Sequence, residues 1–179
     1  MVANPPIKSE RKKDQRGTLI IAGSTLLAQW KSELRKHAAE RLFKNVTIYQ
    51  AKKREDLGFI ARCDVVFASY GEVTNSCPFP GKAKLAKLKR KEGDCGKGQM
   101  VEHDDCSLIE EWISRHTELY GDLHQIDWYR IVIDESHKIK SHESQLSYAV
   151  NALRGKHRWT LSGTPIMNNP EGDYHRSFF

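Results

Sequence analysis

Two adjacent carboxylates at the end of an apolar run are the residues of this sequence best suited to chemistry. Trp128-Tyr129-Arg130-Ile131-Val132-Ile133 leads directly into Asp134-Glu135-Ser136-His137. An acid at that point can hold Mg²⁺, usually through water, because a small hard cation keeps much of its hydration. A second acid beside it can orient or deprotonate an attacking water. The same letters also fit a buried strand that ends in a polar turn, so the pair alone is a weak signal. A second stretch strengthens it. Trp159-Thr160-Leu161-Ser162-Gly163-Thr164-Pro165 reads as another short strand that ends in two hydroxyls. Gly163 permits unusual backbone angles there, and Pro165 keeps the strand from continuing.

These groups need a parallel sheet to bring them together. Ile131-Val132-Ile133 is continuously apolar, as expected of a strand covered on both faces. In open α/β sheets ligands bind in the crevice beyond the carboxyl ends of such strands. Further strands are predicted at Thr18–Ala22, Val46–Tyr49 and Asp64–Tyr70, and a last one at Arg158–Leu161. Between them the pattern is helical. From Thr25 to about Leu42, Leu26, Trp30, Leu34 and Ala38 recur every four positions and fall on one face. Ser24 is placed to cap that helix. Lys52 to Arg62 predicts a second helix, weakened by Gly58. Leu108 to Tyr120 predicts a third, with Leu108, Trp112 and Leu119 facing inward. Ser141 is a candidate cap for a helix over Glu143–Leu153, which turns Leu146, Val150 and Leu153 inward and ends at Gly155. Asn168-Asn169-Pro170 opens a final helix.

Composition bounds the possibilities. The chain has 179 residues, enough for one domain with a sizeable core. Charged residues make up 29% and mean hydropathy is −0.64, and no apolar run approaches the roughly 20 residues that span a bilayer. The expectation is therefore no membrane partner. Residues 1–17 are polar and rich in Lys and Arg, without the apolar core of a secretory signal, and read as a flexible basic lead-in. With 29 Lys and Arg against 23 Asp and Glu, the net charge of +6 favours an anionic partner such as nucleic acid. Cys63, Cys77, Cys95 and Cys106 are sparse and irregularly spaced, which fits a reducing compartment better than a disulfide scaffold.

Asp134-Glu135-Ser136-His137 and Leu161-Ser162-Gly163-Thr164-Pro165-Ile166-Met167-Asn168-Asn169 resemble motifs II and III of the superfamily-two helicase-like ATPases. The likeness is strongest to the Swi/Snf-type branch of chromatin remodellers and DNA-repair translocases. Leu19-Ile20-Ile21-Ala22-Gly23-Ser24-Thr25-Leu26-Leu27-Ala28-Gln29-Trp30 resembles motif Ia, and Ser69-Tyr70 resembles motif Ib. The family usually has proline at the Gly23 position, Ala or Gly at Ser136, Gln at Met167 and Leu at Pro170. The resemblance implies the incomplete N-terminal RecA-like lobe, an α/β parallel sheet with flanking helices, of a DNA-dependent ATPase. It implies that Asp134 binds the Mg²⁺ of Mg-ATP through water and that Glu135 polarises the attacking water. His137, Ser162 and Thr164 would couple the nucleotide site to DNA and to a second RecA-like lobe. Ser24, Thr25 and Ser69 would lie near the backbone of double-stranded DNA, nucleosomal or free. It implies a nuclear protein.

The resemblance also marks what is missing. No G-x-x-x-x-G-K-[ST] phosphate loop occurs in the 179 residues. In the family that loop precedes motif Ia, and the second lobe with its arginine finger follows. The expectation is a central fragment, residues 18–179, with negligible ATP turnover on its own and a strand edge left open. Residues 77–125 read as a low-order insertion between motifs Ib and II. Its basic run, Lys82 to Lys91, fits a nuclear-import signal, a DNA-facing surface or a solvated loop. Cys77, Cys95, His103 and Cys106 are conceivable zinc ligands, but only the last two are close, and inert thiols fit better. Two other readings stay open: a degenerate lobe that binds DNA or protein without hydrolysis, and a zinc-stabilised interaction domain.

Overall fold

Alternation along the central strands decides the layering. In β1 (Thr18–Ala22) every residue is buried. Leu19 and Ile21 join one apolar cluster, while Ile20 and Ala22 join another on the opposite face. The same split recurs in β3 (Val65–Ser69), with Val66 and Ala68 on one face and Val65 and Phe67 on the other. It recurs again in β4 (Trp128–Asp134), where Ile131 and Ile133 oppose Val132. Successive side chains of a strand point to opposite faces, so a run that is apolar throughout must be covered on both.

A computed structural model describes residues 17–39, 42–53, 55–80, 105–135, 139 and 144–162. Its sheet has five strands in the order β2-β3-β1-β4-β5, with β2 at Val46–Ile48 and β5 at Gly155–Leu161. Every neighbouring pair is parallel. One consequence fixes the site: the carboxyl ends of all five strands lie along one edge. Helix α1 (Leu27–His37) covers the face with Ile20, Phe67 and Val132, through Leu27, Trp30 and Leu34. The other face carries α2 (Leu57–Arg62), α3 (Tyr70–Ser76), α4 (Asp105–Arg115), the short α5 (Asp122–Gln125) and α6 (Gln145–Ala152).

Several expected boundaries move. Ser24 does not cap α1; it sits in an exposed turn, and Leu26 occupies the cap position without a side-chain bond. The stretch expected as one helix from Lys52 splits into a 3₁₀ turn at Ala51–Lys53 and α2, which Asp56 caps by accepting from the Phe59 N–H at 3.0 Å. The helix over Asp105–Arg115 buries Leu108 and Trp112, but Leu119 lies beyond it and is 56% exposed. Ser144 caps α6 by accepting from the Ser147 N–H; Ser141 lies outside the described residues, as does the helix expected from Asn168. Gly155 does not end α6, which stops at Ala152 with Leu153 at its cap position; it begins β5. A Cβ there would meet the Ile131 Cδ1 at 2.5 Å, so the glycine lets β5 close on β4.

Two polar groups tie the helical layer together. Arg158 reaches from β5 to the end of α6 and donates to the carbonyls of Val150 at 3.0 Å, Asn151 at 3.2 Å and Leu153. A cation at a helix C-terminus satisfies carbonyls that have no partner within the helix. Arg158→Met should lower stability by about 2–3 kcal/mol, since it takes a charged donor from three carbonyls, of which that of Val150 keeps a bond from the Leu153 N–H. Equal denaturation midpoints for the two proteins would show that water replaces the guanidinium.

His124, fully buried, donates from Nε2 to the Ala149 carbonyl at 2.7 Å and accepts at Nδ1 from the Ser76 hydroxyl at 3.0 Å. Burial depresses its pKa below the ordinary 6.5, only partly offset by the bond to Ala149. The unfolded chain therefore binds a proton more readily than the folded one. This contribution to stability is complete above about pH 6.5 and is lost as pH falls from there towards the depressed native value. His124→Gln should flatten that acid limb of a stability–pH profile. An unchanged slope below pH 6.5 would assign the limb to other groups.

Candidate functional site: the acidic tip of the fourth strand

β4 ends at Asp134, paired in register with Leu161 of β5. Asp134 and Glu135 are therefore neighbours along the sheet edge of Ser162, the residue that directly follows β5. All three are half-buried. On the other side of β4 stands β1, whose end leads into the exposed turn with Ser24 and Thr25. One strand further lies β3, which ends at Ser69. The expected site residues that can be placed thus share one edge. His137 and Thr164 lie outside the described residues.

The carboxylate of Asp134 is held. Trp30, on α1, donates its indole N–H to Asp134 Oδ2 at 2.8 Å. Leu26, Gln29, Trp30, Glu33 and Asp134 line a groove of about 340 Å³ with Asp134 in its wall. Glu33 faces it from the helix surface, paired with Lys36 at 2.7 Å and His37 at 3.1 Å. The hydrogen bond and charge of Lys36, seconded by His37, hold the Glu33 carboxyl below the usual range.

The backbone of the pair is held as well. Tyr70, the first residue of α3, donates its hydroxyl to the Asp134 carbonyl and lies 3.4 Å from that of Glu135. Burial, then the charges of Asp134 and Glu135, push the phenol pKa far above its ordinary value. It remains a donor throughout the physiological range. Glu135 itself has φ of 57°, and it is the only non-glycine with positive φ among the described residues. That region costs a side chain with a Cβ about 1–2 kcal/mol, and such strain concentrates at functional sites.

Could this tip hold Mg²⁺? An ionised carboxylate accepts several bonds, so the indole donor orients Asp134 without exhausting it. Mg²⁺ binds through one or two carboxylates, several waters and substrate phosphates rather than an all-protein cage. A single oriented Asp beside an open groove fits that habit. Among the described residues no cluster of three or more His, Cys, Asp or Glu could hold a metal unaided. Of the zinc candidates, Cys77 is buried, with its thiol pushed up to about 11 by burial, which disfavours the thiolate a metal requires. Cys95 and His103 lie outside the described residues, and nothing is described of the Cys106 side chain.

Sequence reasoning missed two residues. Trp30 is read from periodicity as core, yet it is only half-buried and spends its N–H on Asp134. Tyr70 is read as the end of a strand, yet it opens a helix. Its signal was its place: an aromatic hydroxyl immediately after a strand tip. Ser69 caps that helix by accepting from the Glu72 N–H at 3.2 Å.

The family described as SNF2-related domain matches residues 6–175. Over 158 residues the chain is 31% identical to the DNA repair protein RAD5A of Arabidopsis thaliana, covering 88% of this chain and 12% of that protein. It is 30% identical over 164 residues to transcription termination factor 2 of Drosophila melanogaster, covering 90% of this chain and again 12% of the relative. With the helicase-like transcription factor CHR28 of Arabidopsis thaliana it shares 29% identity over 184 residues, 93% of this chain and 19% of that one. The chain thus spans between about a tenth and a fifth of these curated relatives. Among solved structures, the SWI2/SNF2 ATPase core of Sulfolobus solfataricus in complex with dsDNA is similar in fold. Its TM-score is 0.52 at 21% identity, covering 88% of this chain and 23% of that one.

Proposed function

From the premise that the chain belongs to the family of SNF2-related domains, we propose that it is part of the first RecA-like lobe of a DNA-dependent ATPase. The motor would move on double-stranded DNA in chromatin remodelling or DNA repair, in the nucleus, with a second RecA-like lobe as its partner. The observation that carries this reading is the pair Asp134-Glu135 at the tip of β4, its carboxylate and its backbone both fixed by hydrogen bonds.

Each residue then has a task. Asp134 would hold Mg²⁺ of Mg-ATP through water, and the ion supplies charge neutralisation at the phosphate oxygens. Glu135 orients the attacking water and accepts its proton. Ser162 at the neighbouring tip, with His137 and Thr164, passes the state of the nucleotide to DNA and the second lobe. Ser24, Thr25 and Ser69 lie at the tips of β1 and β3, where a phosphate backbone can meet turn hydroxyls and amides. Residues 77–125 are an insertion between the DNA-facing and catalytic motifs, and residues 1–17 a basic lead-in. No described helix is long and apolar enough to cross a membrane.

Without a G-x-x-x-x-G-K-[ST] loop in its sequence, the 179-residue chain alone should turn over ATP negligibly. That absence also favours a second reading, a lobe that binds DNA without hydrolysis. Duplex binding tests what both share. Fluorescence anisotropy with a labelled duplex should show binding at low salt that weakens steeply as salt rises. A duplex that stays free at low salt would remove both. DNA-stimulated hydrolysis by a longer protein containing this lobe, lost on Glu135→Gln, decides between them.

A further inference from the structure

Asp134 is gripped from both faces of the sheet. Trp30 belongs to the α1 face and packs on the cluster that includes Ile20, Phe67 and Val132. Tyr70 belongs to the opposite face and packs on the cluster that includes Ile133 and Val73. The first fixes the side chain of Asp134 through its indole N–H at 2.8 Å. The second fixes the peptide at which the chain turns into the left-handed conformation of Glu135. A left-handed residue with a Cβ persists where its surroundings impose it, and a hydroxyl bonded to that carbonyl is such an imposition. An N–H donor on one carboxylate oxygen does for the side chain what outer partners do for metal-holding groups generally.

The origin of the two donors matters as much as their targets. Trp30 stands on the helix that follows the Ser24-Thr25 turn at the tip of β1. Tyr70 stands directly after Ser69 at the tip of β3. We propose that Trp30 and Tyr70 are the positioning residues of the acid pair, and that they transmit any displacement of the β1 and β3 tips to Asp134 and Glu135. A duplex lying across those tips would then regulate the acids through two side chains it does not touch. The identity of the duplex rests on the function proposed above; the clamp itself rests on the hydrogen bonds.

The ¹⁵N-labelled chain tests both parts. Its four tryptophans give four indole N–H signals, and the one lost in Trp30→Phe is that of Trp30. Asp134→Ala should move this signal and quicken its exchange with water roughly tenfold, whereas Asp134→Asn, which keeps an oxygen acceptor, should preserve the protection. Tyr70→Phe is the decisive variant. It should shift the Trp30 signal from across the sheet while the signal of Trp128, at the other end of β4, stays in place. A purely structural tyrosine would lower stability without moving Trp30. A Trp30 signal indifferent to Asp134→Ala or to Tyr70→Phe overturns the clamp. Adding a short duplex to the unaltered chain, with binding followed by anisotropy, should move the Trp30 signal as the complex forms. A duplex that binds and leaves the signal fixed overturns the regulatory part and spares the motor reading. A duplex that does not bind removes that reading and the regulation with it, and Tyr70→Phe alone then passes judgement on the clamp.

Discussion

Glu135→Gln, made in a longer protein that carries this lobe, is expected to cut DNA-stimulated ATP turnover by about 10²–10⁴-fold. That loss corresponds to about 3–5 kcal/mol of transition-state stabilisation. The amide keeps the length and shape of the side chain but can no longer accept a proton from water. The three bonds that fix the tip do not involve the Glu135 carboxylate: the indole of Trp30 donates to Asp134, and the Tyr70 hydroxyl meets the backbone carbonyls of Asp134 and Glu135. The left-handed turn at Glu135 is as tolerable to glutamine as to glutamate, since the cost arises at Cβ. Thermal midpoint and nucleotide affinity should therefore stay close to those of the parent while turnover collapses. Steady-state hydrolysis with and without duplex, paired with nucleotide binding, is the measurement. Turnover that survives the change would move the proton acceptor to another residue and leave Glu135 a structural turn.

The second large effect is expected far from the acids. Trp128→Ala should destabilise the fold by about 3–5 kcal/mol, a large share of the 5–15 kcal/mol typical of a domain. Trp128 begins β4 and is fully buried. Its ring lies against Gly17, where an added Cβ would approach it to 3.1 Å, and its indole N–H donates to the Leu123 carbonyl at 2.9 Å. It thus fills the space beside the start of β1 and ties α5 to the sheet at once. Trp128→Phe separates the two roles. It keeps most of the ring but strands the Leu123 carbonyl, so about 1–2 kcal/mol should be lost. Urea unfolding of both variants gives the comparison. If the alanine variant unfolds within 1 kcal/mol of the parent, the ring is not the support described here.

The order of elements was readable because its signals are local and strong. Leu19–Ala22 of β1 and Ile131–Ile133 of β4 are uninterrupted apolar runs, and burial on both faces is the only comfortable place for them. The positions of Asp134 and Ser69 at strand ends followed from the apolar runs that precede them in β4 and β3, and that of Ser162 from the short stretch Arg158–Leu161. What failed to show in the sequence depends on distant partners. Ser24 looks like a cap, but the chain makes an extra turn before α1 begins. Gly155 looks like a helix stop, but α6 has already ended at Ala152; its role, admitting Ile131, is set by a residue 24 positions earlier in the neighbouring strand. Trp30 and Asp134 are 104 residues apart, and Tyr70 and Asp134 are 64 apart. No periodicity encodes such pairs, so Trp30 could be read only as one more apolar position. β5 was expected shorter, from Arg158, because its first half is polar. It lies at the end of the sheet, where a strand with Trp159 at 42% exposure needs no continuous apolar run.

The all-parallel sheet has a consequence during synthesis. β1 sits at the centre, and Thr18 pairs with Arg130, more than a hundred residues later in the chain. A ribosome adding about 5–20 residues per second leaves β1 without that neighbour for roughly 6–20 s. Through that interval a strand that is buried at every residue in the finished fold waits with one side bare, whatever β3 does on the other. Chaperone occupancy on ribosome-bound chains should accordingly peak before Asp134 emerges and decline once β4 is available.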